Sequence, residues 1–246
     1  MLKINKLYRK FYQGENIVVE RNYSNGVWHD TTEVVPNAII NNQISNQAVI
    51  LGNGPSRLAF NLNLIKNHRG GLLGSRALQS YGCNALYRDF QPNFLVATGN
   101  ANLINEIADS GYTDENIVYT NSIHTLEYPG KFYLIPHDPY ADAGTTAAYL
   151  AAFDGHKNIY MLGFDWQDTP GHNYNVYAGT AHYDSLTTTV LDQKWKTNLK
   201  QLMQIYNDVN FAFVYPKAGH PLPAEWADLT NVRAINHNTF ALEADL

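Results

Sequence analysis

The chain has 246 residues, 45% of them hydrophobic and only 16% charged, which is enough to bury a sizeable core and too apolar for a disordered composition. Its formal net charge of −5 argues against a dedicated DNA or RNA binder, which relies on a surplus of Lys and Arg, but leaves room for a compact basic pocket around one small phosphate ligand. Cys83 is the single cysteine, so no intrachain disulfide forms; with a polar N-terminus and no apolar run of spanning length, the expectation is a cytoplasmic protein without a membrane span.

Residues 1–45 differ from the rest. Ile17-Val18-Val19-Glu20 and Val27-Trp28 flank Ser24-Asn25-Gly26, and Asn-Gly is a hairpin signal because both residues tolerate positive φ. Polar residues from Asn41 to Gln47 read as a linker. A β-rich N-terminal extension over 1–45, packed on a main domain over 46–246, is expected.

From Ala48 onward, short apolar runs alternate with helical spacing. Residues 48–51 read as a buried strand entering the glycine-rich segment Gly52-Asn53-Gly54-Pro55-Ser56, and Leu58, Leu62 and Ile65 predict a helix over 57–67. A strand is expected at 94–97, a helix at 102–110 ended by Gly111, and strands at 117–119 and 132–135. Residues 143–154 predict a helix that is apolar or small on nearly every side, hence buried and lying close to a sheet. A strand follows at 159–162, then a long polar and aromatic loop at 166–189, an amphipathic helix at 190–207 and a last buried strand at 211–214. Alternating strands and helices predict an α/β fold, a mostly parallel Rossmann-like sheet with helices on both faces.

In such sheets ligands bind beyond the carboxyl ends of the strands. Gly52 and Gly54 allow close backbone approach, Pro55 suits a first helical position, and amides at the helix start with Ser56 and Arg57 form an anion cradle. A plain strand-to-helix turn accounts for the same residues equally well. No Gly-Lys-Ser/Thr follows, so this is no P-loop, and Arg57 stands where a dinucleotide motif has its third glycine. Asn84, after Cys83, can bond a base edge or a ribose, or simply sit in a turn; Cys83 itself reads as a small buried hydrophobe rather than a nucleophile. Gly144, Thr145 and Thr146 begin a helix with free amides and hydroxyls, and Asp165 ends a strand where a catalytic or ribose-binding acid, or a loop cap, is expected. His172, Tyr174, Tyr177, His182 and Tyr183 fall in the long loop, where a histidine serves as general base and tyrosines donate to a leaving phosphate. No zinc-type spacing and no Asp-x-Asp occur, so no metal site is signalled.

The ordered set Gly52-Asn53-Gly54-Pro55-Ser56, Cys83-Asn84, Ala143-Gly144-Thr145-Thr146 and Gly155 through Asp165 resembles two related groups over roughly residues 48 to 185. These are the bacterial sialyltransferases of glycosyltransferase family 42 and the MptE-like group, which includes archaeal 6-hydroxymethylpterin pyrophosphokinases and flagellin-glycosylation accessory proteins. The resemblance implies that Asn53, Ser56, Asn84 and Gly144, with Thr145 adjacent, hold a nucleotide of the CMP type, and that Tyr174 meets the leaving phosphate. Where those sialyltransferases carry a base histidine four residues after a His-Tyr pair, this chain has Leu186 after His182-Tyr183; where they carry a tyrosine after the Gly-x-Asp acid, it has Gln167. The catalytic candidates are therefore Asp165, His182 and His172.

Three readings follow. The first is a metal-independent, sialyltransferase-like transferase acting between a nucleotide donor and an unknown acceptor, with no tightly bound cofactor. The second is an MptE-like pyrophosphokinase using ATP and magnesium, and the third a non-catalytic nucleotide-binding or accessory module. A homo-oligomer stays open.

Overall fold

Eight parallel strands carry the site in the computed structural model, which describes residues 6–12, 15–24, 27–34, 46–67, 78–166, 175–185 and 189–246. Before them, β1 (Lys6–Tyr12), β2 (Glu15–Ser24) and β3 (Val27–Val34) form a separate antiparallel sheet. Ser24 pairs with Val27, the register that an Asn-Gly hairpin predicts, and Asn25 and Gly26 themselves lie outside the described residues.

The main layer runs β4 (Gln47–Leu51), α1 (Leu62–Asn67), β5 (Gln79–Cys83), β6 (Phe94–Val96), α2 (Ala101–Asp109), α3 (Tyr112–Glu115), β7 (Ile117–Thr120), α4 (Ser122–Glu127), β8 (Tyr133–Leu134), α5 (Ala143–Phe153), β9 (Asn158–Leu162), α6 (Thr189–Ile205), β10 (Asn210–Tyr215), β11 (Val232–Asn236) and α7 (His237–Glu243). The strand order is β11-β10-β9-β4-β5-β6-β7-β8, with every pairing parallel. The chain thus starts in the middle at β4, winds outward to β8, crosses back along α5 to β9, and winds outward again to β11. The change of direction falls between β4 and β9, where α/β sheets of this kind open their crevice.

Period-two alternation explains why both faces are covered. Ala48, Ile50, Ile159, Met161, Phe211 and Phe213 pack on one side with α5 and α6; Val49, Leu51, Tyr160, Leu162, Ala212 and Val214 pack on the other with α2 and α7. Each large side chain so buried stabilises the fold by about 1.5–3 kcal/mol. The small residues of α5 let it lie against β4, β5 and β6, with α6 packed beside it on the same face of the sheet.

Several elements differ from the sequence expectation. The helix expected over 57–67 is a 3₁₀ turn at Pro55–Ala59 followed by a short α1. For β5 the sequence marks only a strand end at Tyr81-Gly82-Cys83-Asn84 and no range, because Gln79-Ser80-Tyr81-Gly82-Cys83 has neither an apolar run nor alternation; all five residues are nonetheless buried between β4 and β6. The strand at 211–214 is not the last, since β11 pairs beyond it and α7 follows. No helix among the described residues is long and apolar enough to cross a membrane.

Candidate functional site

At the carboxyl end of β4, the glycine-rich segment is bound to the end of β9. The Gly52 amide donates to Leu162 O and the Gly54 amide to Gly163 O, both at 2.8 Å, and the Ser56 amide donates to Asp165 Oδ2 at 2.9 Å. The glycines answer to this approach: a Cβ on Gly52 would lie 2.5 Å from Gly163 O, and one on Gly54 would lie 2.1 Å from Asp165 Oδ2. Gly163 itself turns the chain at φ +80°. The expected cradle of free amides is therefore taken up within the protein at Gly52, Gly54 and Ser56, and the anion at the turn is Asp165. This carboxylate caps the glycine-rich loop, which precedes it in sequence.

Two polar atoms of the same segment have no such partner. Asn53 donates its Nδ2 to Cys83 O at 3.1 Å, which ties the ends of β4 and β5 together, but its Oδ1 is buried without a hydrogen bond among the described residues, and so is Ser56 Oγ. Beside them Asn84 adopts φ +49°, a conformation asparagine tolerates, and its Oδ1 accepts the Thr98 amide at 3.0 Å from the end of β6. Cys83 is buried, and burial pushes its thiol well above the ordinary range, with the Asp142 carboxylate adding to the shift and Arg57 opposing it. It is no nucleophile in this environment.

The start of α5 is organised by Asp142, a residue missed at the sequence level. Its Oδ1 accepts the Thr145 amide at 2.9 Å and its Oδ2 the Thr145 hydroxyl at 2.7 Å, so Thr145 is fully buried with both groups engaged. Burial raises the Asp142 pKa, against the pull of these bonds. An Asp immediately before a predicted helix start, with Thr three positions on, is the N-cap pattern that would have identified it. Gly144 is close-packed: a Cβ there would lie 2.9 Å from Phe164 Cε1, while the same ring lies 3.1 Å from the corresponding position on Gly52. The structure brings Gly52 and Gly144 to the same place and sets the Phe164 ring between them.

Residues 175–185 close over this edge through a charged network. The Val176 amide donates to Asn53 O at 2.8 Å. Arg57, 1% exposed, donates its Nη2 to Asp89 at 3.1 Å and to the Tyr177 hydroxyl at 2.8 Å, and Tyr177 donates to Asp89 at 2.5 Å. Burial raises the Tyr177 pKa, and Asp89 adds to it. Arg88 forks onto Glu106 of α2 at 2.9 and 2.6 Å, and His182 Nε2 meets Glu106 Oε2 at 3.1 Å. Asn100 holds the His182 carbonyl at 2.7 Å.

His182 is thereby held to Glu106 and Asn100 at α2, which follows β6, whereas Asp165 follows β9 and is held by the Ser56 amide, so the two side chains have separate partners. His172 and Tyr174, like Gln167 and Leu186, lie outside the described residues. Among those described, no three His, Cys, Asp or Glu side chains converge as a metal site would require.

Comparison with protein-family models, curated proteins and solved structures gives no match. The chain is an α/β protein with an eight-stranded, all-parallel, Rossmann-like sheet.

Proposed function

We propose that the chain is a transferase for a nucleotide-activated donor, of the metal-independent glycosyltransferase kind that its motifs resemble, with the nucleotide held where β4, β5 and the start of α5 meet. The observation that carries this reading is the pair of buried polar atoms, Asn53 Oδ1 and Ser56 Oγ, that have no partner among the described residues. A buried polar group without a hydrogen bond costs about 1–3 kcal/mol, and such groups are rare enough in folded proteins that each calls for a partner. These two fall on the loop at the topological switch point, and both belong to the set that the family resemblance assigns to a CMP-type nucleotide.

The chemistry asked of such a site is simple. An acceptor hydroxyl attacks the anomeric carbon, its proton passes to a base, and the bond between sugar and phosphate breaks with its electron pair leaving on the nucleotide. Hydrogen-bond donors fixed in advance stabilise that leaving charge. Asp165 Oδ2 is engaged by the Ser56 amide, so in this reading Asp165 first holds the glycine-rich loop in shape.

Calorimetric titration of the full chain with CMP, UMP, GMP, AMP and ATP with magnesium tests the proposal. CMP is expected to bind most tightly, without metal. Absence of binding by every monophosphate at millimolar concentration overturns it. A response confined to ATP with magnesium replaces it with the pyrophosphokinase reading.

A further inference from the structure

Two acids occupy the places where a glycine-rich loop and a helix start would receive a phosphate. At the loop, the amides of Gly52 and Gly54 are engaged by Leu162 O and Gly163 O, and the Ser56 amide by Asp165 Oδ2. The carboxylate sits so close that a Cβ on Gly54 would lie 2.1 Å from it. At the start of α5, Asp142 takes both the amide and the hydroxyl of Thr145. An anion site needs amides that are free to point at the ligand, and a phosphate brought to this loop would meet a like charge instead. The cation of the loop does not offset that charge. Arg57 is 1% exposed, and its Nη2 is bonded to Asp89 and to the Tyr177 hydroxyl.

The polar atoms that lack partners ask for the opposite kind of ligand group. Cys83 O can only accept, so the Asn53 atom facing it at 3.1 Å is Nδ2, and Oδ1 is the atom left over. Asn53 Oδ1 is therefore an acceptor, buried and without a hydrogen bond among the described residues. Ser56 Oγ, buried in the same way, can accept or donate. Only an N–H or O–H completes Asn53.

We infer that the ends of β4 and β5 receive the uncharged nucleoside part of the ligand, through a base amine or a ribose hydroxyl that donates to Asn53 Oδ1, and that the phosphate stays off the glycine-rich loop. That the ligand is a nucleotide rests on the transferase reading; which end of it meets the loop rests on the bonds above. The usual polarity of a glycine-rich loop is thereby reversed, because its own chain, through Asp165, already supplies the anion.

Calorimetric titration of the full chain with CMP, cytidine, uridine and 2′,3′-dideoxycytidine, and with inorganic phosphate and pyrophosphate as competitors of CMP, tests the inference. Cytidine should bind within about fivefold of CMP, since a phosphate left in water adds little to affinity. Phosphate and pyrophosphate in large excess should leave CMP bound. A fall of about tenfold from cytidine to uridine identifies the base amine as the donor, and a similar fall to the dideoxynucleoside the ribose hydroxyls. Asp165→Asn, which keeps an acceptor for the Ser56 amide, should change the CMP and cytidine affinities by the same factor. With the phosphate on the loop, the same substitution would favour CMP over cytidine by about fivefold or more, the effect of a unit charge about 4 Å away even in water. Displacement of CMP by phosphate or pyrophosphate, a cytidine that fails to bind where CMP binds, equal affinity for all three nucleosides, or a selective gain for CMP in Asp165→Asn overturns the inference and leaves the nucleotide reading standing. A chain that binds neither nucleotide nor nucleoside removes both.

Discussion

The Ser56 amide donates to the Asp165 carboxylate at 2.9 Å, a bond between residues 109 positions apart in the chain. With Gly52 and Gly54 bonded to Leu162 and Gly163, it welds the ends of β4 and β9 and closes the crevice that a switch point ordinarily opens between them.

Gly54→Ala puts this weld under direct load. Its new Cβ would lie 2.1 Å from Asp165 Oδ2 and 2.6 Å from Gly163 O, so either the carboxylate or the backbone of β9 must move. Overpacking of this kind costs about 1–3 kcal/mol, and thermal unfolding should register a lower Tm. An unchanged Tm would show that the two strand ends are not held together as described.

Ser56→Ala separates binding from stability. The hydroxyl is buried without a partner among the described residues, so its removal should leave the free protein as stable as before, or more stable by about 1 kcal/mol. CMP affinity should fall by about tenfold, the equivalent of one lost hydrogen bond. Calorimetry and urea unfolding on the same preparation measure both, and undiminished affinity would remove Ser56 from the site.

Cys83 should resist thiol reagents. Only the thiolate reacts, and burial, with the Asp142 charge, pushes the Cys83 thiol far above its ordinary range. In native buffer at mildly alkaline pH a disulfide reagent should modify the protein far more slowly than in urea, where the same thiol reacts at once. Rapid native modification would contradict the burial of β5.

Glu106→Gln should weaken the anchor of residues 175–185 in a pH-dependent way. The Arg88 guanidinium holds the Glu106 carboxyl below the usual range, helped by the Tyr87 hydroxyl. A carboxyl with a lowered pKa in the folded state stabilises fully above its unfolded value, about 4, and loses that contribution as pH falls through the folded value. The variant should therefore be less stable than the wild type at neutral pH, by about 1 kcal/mol for a pair this close to solvent. The gap should close in acid, as urea midpoints at the two pH values would reveal. A gap independent of pH would mean that the ion pair does not carry it.

Much of the sheet was legible because its cause is local. The apolar runs that became β4, β9 and β10 alternate between two covered faces, Gly111 and Gly155 mark the turns that follow α2 and α5, and Pro55 opens a helical turn. The extent of β5 was not legible because a strand buried between two neighbours can be built from Gln, Ser and Gly once Asn93 satisfies Ser80. β11 escaped for the opposite reason: it is an edge strand, only partly buried, and its pattern is weak.

The sequence by itself determined which residue types stand at the strand ends: two glycines, Asn53, Ser56, Asn84 and Asp165. Tertiary structure alone decided which of their groups are engaged and which are open. An amide's partner comes from whatever segment the fold lays against it, and here β9 bonds the glycine-rich loop, Glu106 takes His182, and Gly219 returns His220 to Tyr215. Hydrogen bonds act over about 3 Å in space and are indifferent to distance along the chain, so a reading of neighbours in sequence identifies the groups but not their partners.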